Sequence, residues 1–197
     1  MKRLWWWCVG AALMASVVNA GAVEYRALKP EASRLAFAYT QMGVGMEGQF
    51  RKFSAQLVFD PAQAATAKAQ FEVDLASIDT GTTDVDQEVL GKAWFNTKEH
   101  PTAKFVSSRI KALGANRYEV TGKLTIKGRT RDVTAPFTFA AQGNTGVFDG
   151  AFTLKRLDYA IGEGAWADVS AVADEIQIKV HLVALSSSAA PAASPAT

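Results

Sequence analysis

Between Tyr118 and Lys127 the chain alternates strictly. Tyr118, Val120, Gly122, Leu124 and Ile126 fall on one face, and Glu119, Thr121, Lys123, Thr125 and Lys127 fall on the other. Period two is the signature of a strand with one face in a core and one in water. The same alternation returns along the chain. It groups Leu35, Phe37 and Tyr39; Leu57 and Phe59; Ala69, Phe71, Val73 and Leu75; and Ala103 and Phe105. Further on it groups Val133, Ala135, Phe137 and Phe139; then Phe148, Gly150, Phe152 and Leu154; then Ile176, Ile178, Val180, Leu182 and Ala184. A chain with this many half-buried segments forms antiparallel sheet and little else.

Turn chemistry separates the segments. Lys127-Gly128-Arg129-Thr130 and Gly143-Asn144-Thr145-Gly146 read as hairpin tips. One segment breaks the pattern. Thr83 to Trp94 places Val85, Val89 and Leu90 at helical spacing, with Asp84, Asp86 and Glu88 early, where acids suit a helix N-terminus. About eight strands with one short helix predict an all-β closed barrel or sandwich. An eight-stranded barrel can hold one small ligand.

The termini stand apart from this domain. Met1-Lys2-Arg3 is a short basic start, Leu4 to Val18 is apolar apart from Gly10 and Ser16, and Val18-Asn19-Ala20 and Ala20-Gly21-Ala22 offer small residues for cleavage. Residues 1–22 therefore read as a secretory signal peptide cut after Ala20 or Ala22. Cys8 leaves with it, so the exported domain has no thiol for a disulfide or a Cys-ligated zinc. Lys2 and Arg3 leave too. Lys plus Arg falls from 21 to 19 against 19 Asp plus Glu, a formal charge of zero, which removes the basic surface that nucleic-acid binding needs. Residues 186–197, SSSAAPAASPAT, carry no charge and no large apolar side chain and read as a disordered tail. One domain, 23–185, remains.

Few motifs for chemistry survive inspection. Gly43-Val-Gly-Met-Glu-Gly48 fits the dinucleotide fingerprint, but a second alternating segment follows it instead of a helix, and Asp60 comes too early for the ribose acid. These glycines are expected to form a flexible crossing or a bulge. His100 precedes Pro101 in a turn, and His181 alternates outward with Lys179. Neither has a partner at metal-ligand spacing. No catalytic or metal site is expected. Lys127, Arg129 and Arg131 make a basic hairpin tip, which is either a solvated turn or a contact for anionic head groups.

The stretch Phe152 to Asp168, FTLKRLDYAIGEGAWAD, holds an irregularity. Phe152 and Leu154 share a face, and Arg156 and Asp158 continue that face. Either the two charges form an ion pair that plugs the end of a core, or they meet the polar end of a ligand.

Four blocks together resemble the YceI-like family of periplasmic polyisoprenoid-binding proteins. They are GQFRKFSAQLVFDP, ASIDTGTTDVDQEVLGKAWFNTKEHPTAKFVS, YEVTGKLTIKGRTRDVTAPFTF and LKRLDYAIGEGAWAD, in this order across Glu24 to Leu185. The resemblance implies an extended antiparallel eight-stranded lipocalin-like barrel with a short helical insertion. It implies a periplasmic carrier or store for a long-chain isoprenoid, and binding without catalysis. The chain departs from the family where YTQMGVGMEG stands, a region in which members often carry His and this chain has Gln41. GEGAWAD resembles a subgroup that includes relatives of proteins joined to b-type cytochromes, which adds a quinone-like ligand.

Under this reading the channel lining is Phe37, Tyr39, Phe50, Phe53, Phe71, Leu90, Trp94, Phe95, Phe105, Phe137, Phe152, Leu154 and Trp166, with Arg156 and Asp158 as head-group candidates. The expected ligand is an isoprenoid or quinone-like lipid, with no cofactor or metal. The partners compatible with it are this amphiphilic lipid, a membrane surface met transiently, and a second copy of the chain. Two other readings compete. One is an enzyme acting on an isoprenoid or quinone in the same pocket. The other is a small outer-membrane barrel, whose apolar face would point to lipid. The polar run after Leu185, the many long Lys and Glu side chains on the polar faces, and the lack of regular aromatic residues at the strand ends argue against the last.

Overall fold

The computed structural model describes residues 23–188. The expected signal peptide and most of the expected tail lie outside these residues. Eleven strands form one antiparallel sheet. They are β1 Val23–Leu28, β2 Arg34–Gln41, β3 Val44–Phe50, β4 Phe53–Val58, β5 Lys68–Asp74 and β6 Ile78–Asp79. After the helix α1, Thr83–Leu90, come β7 Thr102–Gly114, β8 Arg117–Ile126, β9 Arg129–Gln142, β10 Thr145–Lys155 and β11 Glu175–Ser188.

The order across the sheet is β4-β5-β7-β8-β9-β10-β11-β2-β3-β6, with β1 also paired to β11. Strands β3 and β4 stand near opposite ends of this path, yet only Arg51 and Lys52 separate them in the chain. The sheet therefore curls until its two sides meet at one bent strand. Counting β3 and β4 as that single strand, the wall has the eight strands expected. The additional ones are β1, β6 and the break at residues 51–52, where Arg51 N–H donates to Ser77 O at 3.0 Å and Asp74 N–H donates to Lys52 O at 3.0 Å. Strand β1 seals the other end of the seam. Tyr25 N–H donates to Phe59 O at 2.9 Å, and Phe59 N–H returns to Tyr25 O at 3.2 Å.

Both expected hairpin tips are present. At the first, Lys127 and Gly128 have φ of 49° and 71°; at the second, between β9 and β10, Gly143 has 60°; a third turn, between β2 and β3, has Met42 and Gly43 at 49° and 78°. Two successive left-handed residues match the twist of the flanking strands, and glycine takes that conformation without penalty. The glycines of GVGMEG accordingly make neither a crossing nor a bulge. Gly43 closes the β2–β3 turn, and Gly45 and Gly48 lie within β3. A Cβ on Gly48 would stand 2.4 Å from the Phe37 ring and 2.8 Å from Asp79 O, so its absence lets β6 and Phe37 close in.

Two further expectations are corrected. The helix stops at Leu90, four residues early, because Gly91 leaves the helical region and the chain folds into turns. Ser186, Ser187 and Ser188 belong to β11 and pair with Tyr25, Glu24 and Val23, so backbone pairing extends the sheet past Leu185 despite the polar side chains.

The interior has two packed ends. One gathers on fully buried Phe59, whose ring centroid is 5.2 Å from Tyr118, 5.1 Å from Phe139 and 5.1 Å from Phe148. The other gathers Leu75, Ile78, Val89, Trp94, Leu154, Tyr159 and Ile161 beneath α1. Gly122 lies in the wall between β7 and β9. A Cβ there would meet Val106 O at 2.4 Å and the Phe105 ring at 2.6 Å. Gly122→Ala is expected to lower folding stability by about 1–3 kcal/mol through this overpacking, as measured by urea unfolding.

Candidate functional site

An apolar cavity of about 330 Å³ occupies the barrel interior. That is within the roughly 300–1,000 Å³ usual for small-molecule sites. Its wall draws on nearly every strand, because the inward side of each alternating segment is apolar. Phe37, Tyr39, Phe50, Phe53, Phe71, Trp94, Phe95, Phe105, Phe137, Phe152, Leu154 and Trp166 all line it. Leu90 does not; the last residue of α1, it packs partly buried against the cluster beneath the helix. The wall also includes Leu75, Ile78, Val85, Val89, Ile161 and Val172, which the sequence reading left out. Parity puts Leu75 on the face of Phe71, and the helical stripe puts Val85 and Val89 beside Leu90, so all three are within reach of the sequence. Ile161 and Val172 sit in irregular segments where period two gives no signal.

Polar groups are unevenly placed around this space. At the Phe59 end the lining is Leu57, Phe59, Phe148 and Leu182. At the α1 end it includes Gln41, Thr80, Glu88 and Arg156. Burial and then the Asp86 carboxylate push the Tyr39 hydroxyl above its usual value, so it stays protonated at neutral pH. The Trp166 indole N–H donates to Glu88 Oε1 at 3.1 Å, joining α1 to the turn Gly164–Ala167 across this end.

Arg156 resolves the irregularity in the sequence. Strand β10 ends at Lys155, and Arg156–Tyr159 form a 3-10 turn, so the shared face with Asp158 does not persist. Arg156 is 1% exposed, whereas Asp158 is exposed and off the cavity wall. There is no plug pair. The guanidinium uses all five of its donors on backbone carbonyls: Nε on Ala173 at 3.1 Å, Nη1 on Ile161 at 2.9 Å and Gly162 at 3.1 Å, and Nη2 on Trp166 at 2.8 Å and Val172 at 2.7 Å. No donor remains for a head group. Burial pushes the guanidinium pKa down, and the Asp174 carboxylate works against that. Arg156 thus pins the 160–173 segment over the cavity.

Of the basic hairpin tip, Lys127 is turned inward, while Arg129 and Arg131 stay exposed. Lys127 Nζ donates to Lys92 O at 2.9 Å, Ala160 O at 2.7 Å and Glu163 Oε2 at 2.9 Å, with its side chain 8% exposed. This bond holds the Glu163 carboxyl below its usual range. His181 is on the outer surface with Asp149 Oδ1 at 2.6 Å. Among the described residues no group of His, Cys, Asp or Glu could hold a metal ion. The outer face carries exposed cross-strand ion pairs, Lys104 with Glu72 and Lys179 with Glu47, each at 2.8 Å. Apolar inside and charged outside is the reverse of an outer-membrane barrel, and that reading falls.

Arg156→Lys tests the pin. Lysine offers three donors from a single point, so at least two of the five carbonyls lose their charged partner. At about 1.5–3 kcal/mol each, the expected loss is about 3 kcal/mol or more, read as an earlier denaturant midpoint.

Residues 27–184 match the family model described as YceI-like domain. Among known proteins, the UPF0312 protein of Azotobacter vinelandii is 29% identical over 58% of this chain and 62% of its own length. That of Photorhabdus laumondii is 32% identical over 62% and 64%. The chain therefore spans just under two thirds of these relatives. Among solved structures, Burkholderia cenocepacia BcnA is 49% identical with a TM-score of 0.78, covering 79% of this chain and 98% of that one. A polyisoprenoid binding domain from Saccharophagus degradans shares the fold at 17% identity and a TM-score of 0.64, covering 85% and 99%. With the family model matched over almost all of the described barrel, the chain belongs to the YceI-like family.

Proposed function

We propose that this protein is a periplasmic carrier or store for a long-chain isoprenoid or quinone-like lipid, which it binds without transforming. The observation that carries this reading is the apolar cavity with polar side chains gathered at its α1 end. An amphiphile with one polar end fits such a space in one orientation, tail towards Phe59 and head beneath Trp166. The polyisoprenoid-binding domain that shares this fold points the same way. The basic start, apolar run and small-residue cleavage sites of residues 1–22 support export.

Burying a methylene gains about 0.8 kcal/mol relative to water. The tail of a membrane lipid is already in an apolar host, so this gain nearly cancels between membrane and protein. Shape and the polar end then set which lipid moves. Arg156 brings no free donor to the wall, because its five N–H groups are occupied by carbonyls.

Organic extraction of protein purified from its own host without detergent, followed by mass spectrometry, is expected to yield a stoichiometric prenyl lipid. An extract empty of lipid, together with no uptake from prenyl-lipid vesicles, overturns the reading. Glu88→Ala removes the acceptor of the Trp166 indole. It is expected to speed lipid transfer to acceptor vesicles by about two- to tenfold, the worth of one hydrogen bond.

A further inference from the structure

The indole Nε1 of Trp94 is a buried donor with no hydrogen-bond acceptor among the described residues. Trp94 is 8% exposed and lines the cavity at its α1 end. Buried tryptophan N–H groups ordinarily find a partner, and an unmet one costs free energy. The ring is also firmly placed. Trp94 N–H donates to Gly91 O at 3.0 Å, and the adjoining Ala93 O accepts from Gly162 N–H at 2.9 Å and Glu163 N–H at 2.8 Å. The Trp166 ring lies 5.3 Å away, and the Arg156 guanidinium carbon lies 5.8 Å from the Trp94 ring centroid. The donor is therefore held in place and has no local alternative.

We propose that Trp94 Nε1 is the group that recognises the ligand's polar end, and that it does so by donating one hydrogen bond to a neutral carbonyl oxygen. This rests on the carrier reading and adds to it the residue and the head-group chemistry. A carbonyl suits the surroundings for three reasons. It accepts and brings no proton of its own, whereas a hydroxyl adds a proton to be satisfied at an end where Glu88 already accepts from Trp166 and the carbonyls of Ile161, Gly162, Trp166, Val172 and Ala173 already accept from Arg156. A phosphate would present several charged oxygens to a single free donor. It would also share this end of the cavity with the Glu88 carboxylate while the Arg156 donors are unavailable. The positive charge of Arg156 under the Trp94 ring makes the neighbourhood favourable to the oxygen end of a C=O dipole.

The test uses two probes, farnesylacetone as a prenyl ketone and the hydrocarbon of the same skeleton without oxygen. In protein labelled with ¹⁵N-tryptophan, the Trp94 indole resonance is assigned through Trp94→Phe, which keeps an aromatic ring and removes the donor. Trp166, which also lines the cavity and is already bonded to Glu88, reports entry of either probe, and the difference between ketone and hydrocarbon is read at Trp94. The ketone is expected to move the Trp94 N–H resonance downfield and the hydrocarbon is not. Trp94→Phe is expected to bind the ketone about five- to tenfold more weakly and the hydrocarbon equally well. Equal response of the Trp94 resonance to both probes, or unchanged ketone affinity in a folded Trp94→Phe, overturns the assignment while leaving the carrier reading in place. Binding of neither probe by the wild type removes the carrier reading, and the assignment with it.

Discussion

One buried guanidinium organises the functional end of this barrel. Strand β10 stops at Lys155, and the chain does not re-enter the sheet until Glu175. The intervening residues have no ladder to satisfy their carbonyls, yet several are buried. Arg156 supplies five N–H groups in a rigid plane, enough for five of those carbonyls at once. The arrangement resembles an ion inside a shell of backbone dipoles more than a salt bridge. It also explains Gly162, where a Cβ would lie 2.2 Å from Arg156 Nη1. Trp166, Ile161 and Val172 reach the cavity because the segment carrying them is anchored in this way.

The other end is built on different physics. There the seam closes through two backbone bonds between Tyr25 and Phe59, and a cluster of edge-on aromatic rings fills the space. The cavity lining there needs no polar group, because regular strands satisfy their own backbone; buried Asp60 caps the adjoining 3-10 segment away from the cavity wall. The contrast between the ends produces the polarity of the cavity. The ladder-rich end is apolar, while the end where strands give way to turns requires polar side chains and leaves one donor, Trp94 Nε1, unmatched. A ligand oriented by that difference meets preorganised chemistry at one end and packing at the other.

Much of this was legible in the chain. Alternation located the strands and, through parity, placed most of the cavity wall, since every inward position of a half-buried strand faces the same interior space. The positive-φ turn at Lys127-Gly128 followed from turn chemistry. The helical stripe that Leu90 shares with Val85 and Val89 puts it on the wall, but those two reach the cavity and Leu90, at the helix end, does not. Asp158 was misplaced because period two was carried beyond the end of β10, where a 3-10 turn sends it to solvent. Ile161 and Val172 were invisible because an irregular segment has no period to read.

The sequence by itself determined the all-β class, the inward face of each strand, the short acidic helix and the lack of metal-ligand spacing, because each is a local property of side-chain order. It also carried the family, in the order and spacing of its blocks. Only the tertiary structure decided what Arg156 does, since its five acceptors come from residues up to seventeen positions away and meet it only when the 160–173 segment folds over the barrel. The same holds for Trp94. Whether a buried donor is satisfied depends on every neighbour that could have accepted from it, and those neighbours are assembled only by the fold.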